Sequence, residues 1–208
     1  MIDELLKFFV LFFVIVEPIS LVPLFAALTE GADEAYRRRM SLKAVLLAGT
    51  VFLLFAVGGA AFLRVMGISI EAFRIAGGVM LFLIALEMVF ARESGTRTTD
   101  VERNEVKKRA DIAVFPLAFP FIAGPGALAI VLLTFGAWRG DLALSAALFG
   151  VVMLVLAITY VLMRLTPVVM RAMGVTGANV VNRLSGVVLA ALAVQFIIDG
   201  IGGAFVGI

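Results

Sequence analysis

The stretch Val16-Glu17-Pro18-Ile19-Ser20-Leu21-Val22-Pro23 lies inside an apolar run from Leu5 to Leu28. As a helix rising 1.5 Å per residue, that run is about 36 Å long and crosses a bilayer core of roughly 30 Å. A plain spanning helix avoids both carboxylates and prolines at mid-run, yet this one holds one carboxylate and a pair of prolines. Each proline lacks an N–H, and its ring clashes with the carbonyl four residues back, so Val14 and Ile19 lose their helical partners. In hydrocarbon that backbone must be satisfied by protein, water or ligand. The stretch predicts a broken span, either a packed kink or the wall of a polar cavity.

A second break of the same kind follows in Phe115-Pro116-Leu117-Ala118-Phe119-Pro120-Phe121-Ile122-Ala123-Gly124-Pro125-Gly126. Interrupted apolar segments in corresponding positions of two halves are the sequence mark of a transporter's binding site. Composition agrees with a membrane class, since 63% of the 208 residues are hydrophobic and only 15% are charged. The apolar runs are continuous rather than alternating, which predicts helices and not a β-barrel. The chain has no cysteine and no histidine. Disulfides, thiolate catalysis, the commonest metal ligand and the usual proton shuttle are thereby removed. No metal or cofactor is expected, and any proton handling falls to carboxylates. A net charge of +2 gives no footing for nucleic acid. The acidic start Met1-Ile2-Asp3-Glu4 does not read as a cleavable signal.

Six apolar runs are legible, at about 5–28, 42–63, 72–91, 112–136, 142–163 and 183–205. Residues 92–111 are the one strongly polar segment and read as a charged cytoplasmic linker. They divide a first three-helix repeat, 1–91, from a second, 112–208. Trp138 suits an interfacial anchor, and Asn179 or Asn182 suits a cap for the last span. Phe12 is read as lipid-facing. The loops after spans one, three and five hold most of the 17 Lys and Arg residues; only Lys7, Arg64, Arg74 and Arg139 lie on the other side. By the positive-inside rule, both termini face outward across the cell membrane.

The halves also resemble one another. With Pro18 set on Pro125, the same register lays Arg64-Val65-Met66-Gly67-Ile68-Ser69 on Arg171-Ala172-Met173-Gly174-Val175-Thr176. After two inserted residues, Arg74-Ile75-Ala76-Gly77-Gly78 meets Arg183-Leu184-Ser185-Gly186-Val187. Three spans per half is an odd number, so the repeats must run in opposite senses. The expected fold is an all-α membrane protein of six transmembrane helices, two inverted three-helix repeats with helices 1 and 4 broken.

Glu17 falls near the bilayer midplane, where a carboxylate is costly unless paired, solvated or protonated. It is the first candidate for proton coupling; the competing reading is a neutral acid bonding backbone freed by Pro18. Pro125 and Gly126 suit the start of a half-helix whose free N–H groups attract an anion, with Gly124 and Gly126 letting a ligand approach the backbone. A packed kink is the alternative. Ser20 adds a hydroxyl one turn past Glu17. Glu87 either snorkels to the surface or shares in coupling, and Gln195 either binds substrate or bonds across helices as structural glue. Gly186, Ala190 and Ala193 form a small face that favours close packing, as do Gly77, Leu81 and Ala85. Arg74 and Arg183 stand at helix starts, where the dipole disfavours cations, with Glu71 or a lipid phosphate as possible partners.

Glu17-Pro18-Ile19-Ser20-Leu21-Val22-Pro23 resembles the Asp-Pro-x-Gly-x-x-Pro pattern in the first span of the MarC-type family of six-span membrane proteins. Ala123 to Ala127 matches that family's Ala-Gly-Pro-Gly-Ala unchanged. Ala76-Gly77-Gly78, and Arg183 with Gly186 and Gln195, resemble its third- and sixth-span blocks. Here Glu17 replaces the usual Asp and Ser20 the usual Gly, which would shrink and polarise the pocket. The family includes neutral amino acid transporters, so the resemblance implies passage of small neutral amino acids such as glycine and alanine. The expected function is secondary transport, proton-coupled, by alternating access. A passive channel or an exporter of another small solute is the main alternative. A membrane-embedded enzyme is disfavoured: no Gly-x-Ser-x-Gly elbow occurs, and no aspartates are paired in adjacent spans.

Overall fold

Why these runs begin where they do is visible at their starts. Asp33 caps one helix by accepting from the Tyr36 N–H at 2.6 Å, and Asp141 caps another by accepting from the Leu144 N–H at 2.9 Å. A glycine with positive φ precedes each cap, Gly31 at 75° and Gly140 at 114°. The computed structural model describes residues 2–90, 111–137 and 140–206. These fold as α1 (Ile2–Val16), α2 (Leu21–Leu28), α3 (Glu34–Val65), α4 (Ile70–Phe90), α5 (Ala113–Ile122), α6 (Pro125–Ala137), α7 (Leu142–Arg164) and α8 (Thr166–Val206). Among the described residues there is no strand. Among the described residues five stretches are long and apolar enough to cross a membrane, α1 with α2 among them, or six if the bent pair α5–α6 is one span.

Each half thus runs broken helix, helix, helix. The first is α1/α2, α3 and α4; the second is α5/α6, α7 and α8. Gly67 (φ 69°), just past α3, and Gly174 (φ 61°), inside α8, are the glycines that the repeat register superposes. Gly174 kinks α8, which then runs on to Val206, so Asn179 and Asn182 lie in the interior of the helix and not at its start. Residues 91–110 and 138–139, which include most of the charged linker and Trp138, lie outside the described residues.

Packing partners also exchange between the halves: α3 packs on α5, α6 and α7, while α1 packs on α6 and α7. The half-helix α6 packs on α4, and its counterpart α2 packs on α8. The closest association is between α4 and α8, and it is antiparallel. Gly200 of α8 lies on Ile75, Gly78 on Ala193 and Ile197, and Gly186 on Ala85 and Met88. Without water to drive helices together inside a bilayer, such backbone approach is what holds them. The small face read from Gly186, Ala190 and Ala193 is this contact.

At the centre stands α6, buried on nearly all sides at Ala127, Ala129, Ile130, Val131 and Leu132. A helix apolar all round belongs in the middle of a bundle. Phe12 is fully buried as well, contrary to the expectation of a lipid-facing ring: it stacks on Phe8 at 5.4 Å and meets Phe52 edge-on at 5.1 Å. The outward face of α1 is Leu6 and Val10. A run that is apolar throughout carries no stripe to say which face turns inward.

Glu4, Arg74 and Asp199 gather at one end of the bundle, the end that carries both described termini. At the other end, Glu34 pairs with Arg164, and Lys43 with Asp111. The Lys43 ammonium hydrogen-bonds Asp111 and holds its carboxyl below the usual carboxylate range.

Two outcomes follow from this packing. A Cβ at Gly78 would stand 2.8 Å from the Ala193 carbonyl oxygen, which as backbone cannot step aside. Gly78→Val should therefore destabilise the solubilised protein by about 1–3 kcal/mol in thermal unfolding. Gly58→Ala should not, since nothing lies within 4 Å of that site; equal losses would mean the α4–α8 contact is not what was measured. Because the Asp111 carboxyl is lowered in the folded state, its stabilisation is present above its unfolded pKa and lost as pH falls through the folded one. The pair is half-exposed, so less than about 1 kcal/mol is at stake. Melting curves from neutral to acid pH should show a small acid-sensitive component that Lys43→Met removes.

Candidate functional site

The first break is built on Glu17. α1 stops at Val16, and Glu17 takes φ 52°, the left-handed region that side chains with a Cβ rarely adopt. Such a residue is strained by about 1–3 kcal/mol, and strain of this kind gathers at functional sites. Its N–H still donates to the Phe13 carbonyl at 3.0 Å, and its own carbonyl accepts from Leu21 at 3.2 Å. The Ile19 carbonyl accepts from the Val22 N–H at 3.1 Å, so Pro23 does not orphan it as the sequence suggested. Pro23 sits in the first turn of α2, where no N–H is needed. The break therefore belongs to Pro18 alone. The Glu17 side chain is only 6% exposed, Pro18 is buried, and Ser20 is half-buried with a hydroxyl that does not cap α2.

The second break is wider. Phe115 and Phe119 are extended, as the residue before a proline must tend to be, and both following Phe–Pro bonds are cis. The turns between them are loose: Leu117 and Ala123 donate five residues back, to Ile112 and Ala118, at 3.3 and 2.8 Å. After Gly124 the chain bends by 59°, and α6 starts at Pro125 as the half-helix reading expects. A Cβ on Gly124 would lie 2.6 Å from the Pro120 carbonyl oxygen, and one on Gly126 would lie 2.0 Å from the Leu81 side chain. In this conformation Gly124 admits the returning chain and Gly126 admits α4. With Gly126 and Ala127 buried, the first turn of α6 is covered in this conformation. Ile15, Val16 and Leu21 around the first break, and Ile122, Ala123 and Ala127 around the second, share one core cluster.

Two predicted residues stand elsewhere. Glu87 is half-buried in the last turn of α4. Gln195 is exposed on α8 and donates to Asp199 Oδ1 at 2.7 Å, one turn along its own helix; it does not bond across helices.

What opens to solvent is a pocket of about 260 Å³ at the end of the bundle that carries the termini. Glu4, Lys7, Arg74 and Asp199 supply its charges, over an apolar interior from Phe8, Leu11, Ile130, Leu133, Leu148 and Phe196. Leu11 lies six residues before Glu17, and Ile130 five after Pro125. The interior is thus about 8–9 Å along each helix from the two breaks. Sequence reading singled out Arg74 but neither Lys7 nor Glu4, and no periodicity marks them. The one signal available was a cation near the start of α4.

The sequence matches the MarC family integral membrane protein over residues 2–205. It is 33% identical over 202 residues to the UPF0056 membrane protein YhcE of Escherichia coli K12, spanning 97% of this chain and 94% of that one. It is 35% identical over 198 residues to the UPF0056 membrane protein YvbG of Bacillus subtilis, spanning 95% and 93%. An archaeal UPF0056 membrane protein, from Methanocaldococcus jannaschii, is 34% identical over 206 residues, spanning 96% and 98%. No solved structure matches the chain. A match along nearly the whole length, with relatives above 30% identity on both sides of the bacterial–archaeal divide, places this chain in the MarC family of integral membrane proteins.

Proposed function

We propose that this protein is a secondary transporter of small neutral amino acids, coupled to protons through Glu17 and working by alternating access between two inverted three-helix halves. The observation that carries the reading is a carboxylate buried at a strained, proline-broken point of a membrane span. A packed kink has no need of a carboxylate or of a left-handed residue, and both add unfavourable free energy that function would have to justify. The antiparallel lie of α4 and α8 supports the inverted relation, because equivalent helices of opposed repeats must run oppositely. The shared placement of both described termini at one end supports an even number of crossings, with α5–α6 as the sixth.

In this scheme Glu17 crosses the low-dielectric middle as the neutral acid. When ionised it offers a counter-charge to a substrate ammonium. The first turn of α6, exposed when Leu81 moves off Gly126, receives the substrate carboxylate. Pro18, Ser20, Gly124 and Pro125 shape the walls between these two poles. Glu87 is the second coupling candidate. Gln195 acts through Asp199 rather than at the midplane.

Orientation follows from the basic loops, which put the termini outside the cell membrane and the linker inside. A reporter that fluoresces only in the cytoplasm should stay dark when fused to Ile208 and glow when placed within residues 97–100. The reverse pattern would overturn the orientation.

Function is tested by glycine and alanine flux into proteoliposomes under imposed pH differences. Glu17→Gln mimics the protonated acid, so it should abolish the response to a pH gradient while leaving some exchange. A variant that keeps the wild-type response would move the proton elsewhere. Wild-type protein that carries neither amino acid under any gradient would end the substrate assignment.

A further inference from the structure

The pocket at the terminal end is separate from the broken-helix midplane, and its chemistry is two-signed. Arg74 sits one turn into α4, and it has no ion-pair partner among the described residues. Glu71, the acid nearest on the same helix, is turned to Gly203 of α8 instead. Lys7 is held only at 3.6 Å by Glu4 and stays largely exposed. In the same pocket, Asp199 is fixed by the Gln195 amide, which orients one carboxylate oxygen and leaves the other available. The apolar lining comes from four helices, α1, α6, α7 and α8. The volume of about 260 Å³ is below the range that holds drug-sized ligands.

We propose that this pocket is a recognition site for a small zwitterion. Arg74 binds the carboxylate as a planar two-pronged donor, Asp199 accepts from the ammonium, and a short apolar side chain rests on Leu11 and Ile130. A lone anion would satisfy Arg74 but would be repelled by Asp199 and Glu4; a lone amine meets the opposite difficulty. The zwitterion alone satisfies both poles, which gives selectivity by penalty as well as by attraction. The site rests on the transport reading for its place as the first stop on the path, about one and a half helical turns from the breaks. Binding at it, however, is measurable with no transport at all. A zwitterionic lipid headgroup shares this chemistry and is separated from a free solute by the assay.

The experiment is equilibrium binding of radiolabelled alanine to the full-length protein, in detergent and in nanodiscs of phosphatidylcholine or phosphatidylethanolamine. Unlabelled glycine and alanine should compete, while lactate and ethylamine, each lacking one charged group, should compete at least about tenfold less well. Arg74→Gln and Asp199→Asn should each weaken binding by a similar factor, and Arg74→Lys should restore part of it. To guard against misfolded variants, Thr134→Cys places a thiol on the pocket wall of a chain with no other cysteine. Alanine should slow its labelling by a water-soluble thiol reagent in otherwise wild-type protein. Binding that survives both charge substitutions, or labelling that alanine does not slow, overturns the proposal. So does competition by lactate equal to that by glycine. Loss of alanine binding only in phosphatidylethanolamine would assign the pocket to lipid instead of solute. Failure of the pH-gradient test at Glu17 with alanine still held here would defeat the coupling reading and leave the pocket standing.

Discussion

Backbone that has lost its helical partner inside a bilayer has nowhere to turn but to the protein itself, and this constraint shapes the whole bundle. Pro18 and the two prolines of α5 remove three donors from membrane depth. Around the first break the chain recovers by taking Glu17 into the left-handed region, so that its carbonyl reaches Leu21 and Ile19 reaches Val22. Around the second it recovers with five-residue turns to Ile112 and Ala118. Both repairs bring irregular backbone into the interior, where lipid must not reach it. The rest of the structure supplies cover: α3 wraps α5 and α6, and Leu81 of α4 closes over Gly126.

Much of this was legible because proline, glycine and charge act locally and leave marks in the sequence. The helical class, both breaks, the start of α6 at Pro125 and the small face at Gly186 and Ala193 all follow from a residue's own geometry. The burial of Phe12 was not legible, since the run from Phe8 to Val16 is apolar on every side and the turn of the helix is set by Phe52 on another. The close neighbours of Gly124 and Gly126 were not legible for a related reason. A glycine announces that something comes close, but only the fold says that it is the Pro120 carbonyl or the Leu81 side chain. Gln195 looked like an interhelical donor, and its partner proved to be the aspartate four residues on, a pairing available to any helix. The capping pair Asp33 and Asp141 was overlooked although each precedes an apolar run by a few residues.

Positive-φ Gly31 and Gly140 precede the two aspartate caps, and Gly67 and Gly174, set together by the Pro18–Pro125 register, both have positive φ. These are positions where the chain needs a residue without a Cβ. The clear asymmetry is at the breaks themselves. Glu17 corresponds to Gly124, so one half brings a carboxylate and the other a helix start. An ammonium and a carboxylate, the two ends of one small solute, would find unlike partners on the two sides of a pseudosymmetric frame.

The distribution of close contacts also says which parts can move. The α4–α8 seam rests on backbone approach at Gly78, Gly186 and Gly200, where carbonyl oxygens stand at the limit of contact. Such a seam has no second arrangement a fraction of an ångström away, and it suits a fixed frame. The end with Glu34, Arg164, Lys43 and Asp111 is held by ion pairs at partly or fully exposed sites, each contributing less than about 1 kcal/mol. Opening that end is therefore cheap beside breaking the seam. A solute that binds the open pocket shifts the balance between states only by its difference in affinity for the two ends. The strained Glu17 lies between them, on the one helix that lines the pocket and then breaks. In the proposed scheme a change in the charge of Glu17, by protonation or by a counter-charge, is the local event most directly placed to tip the frame from one opening to the other.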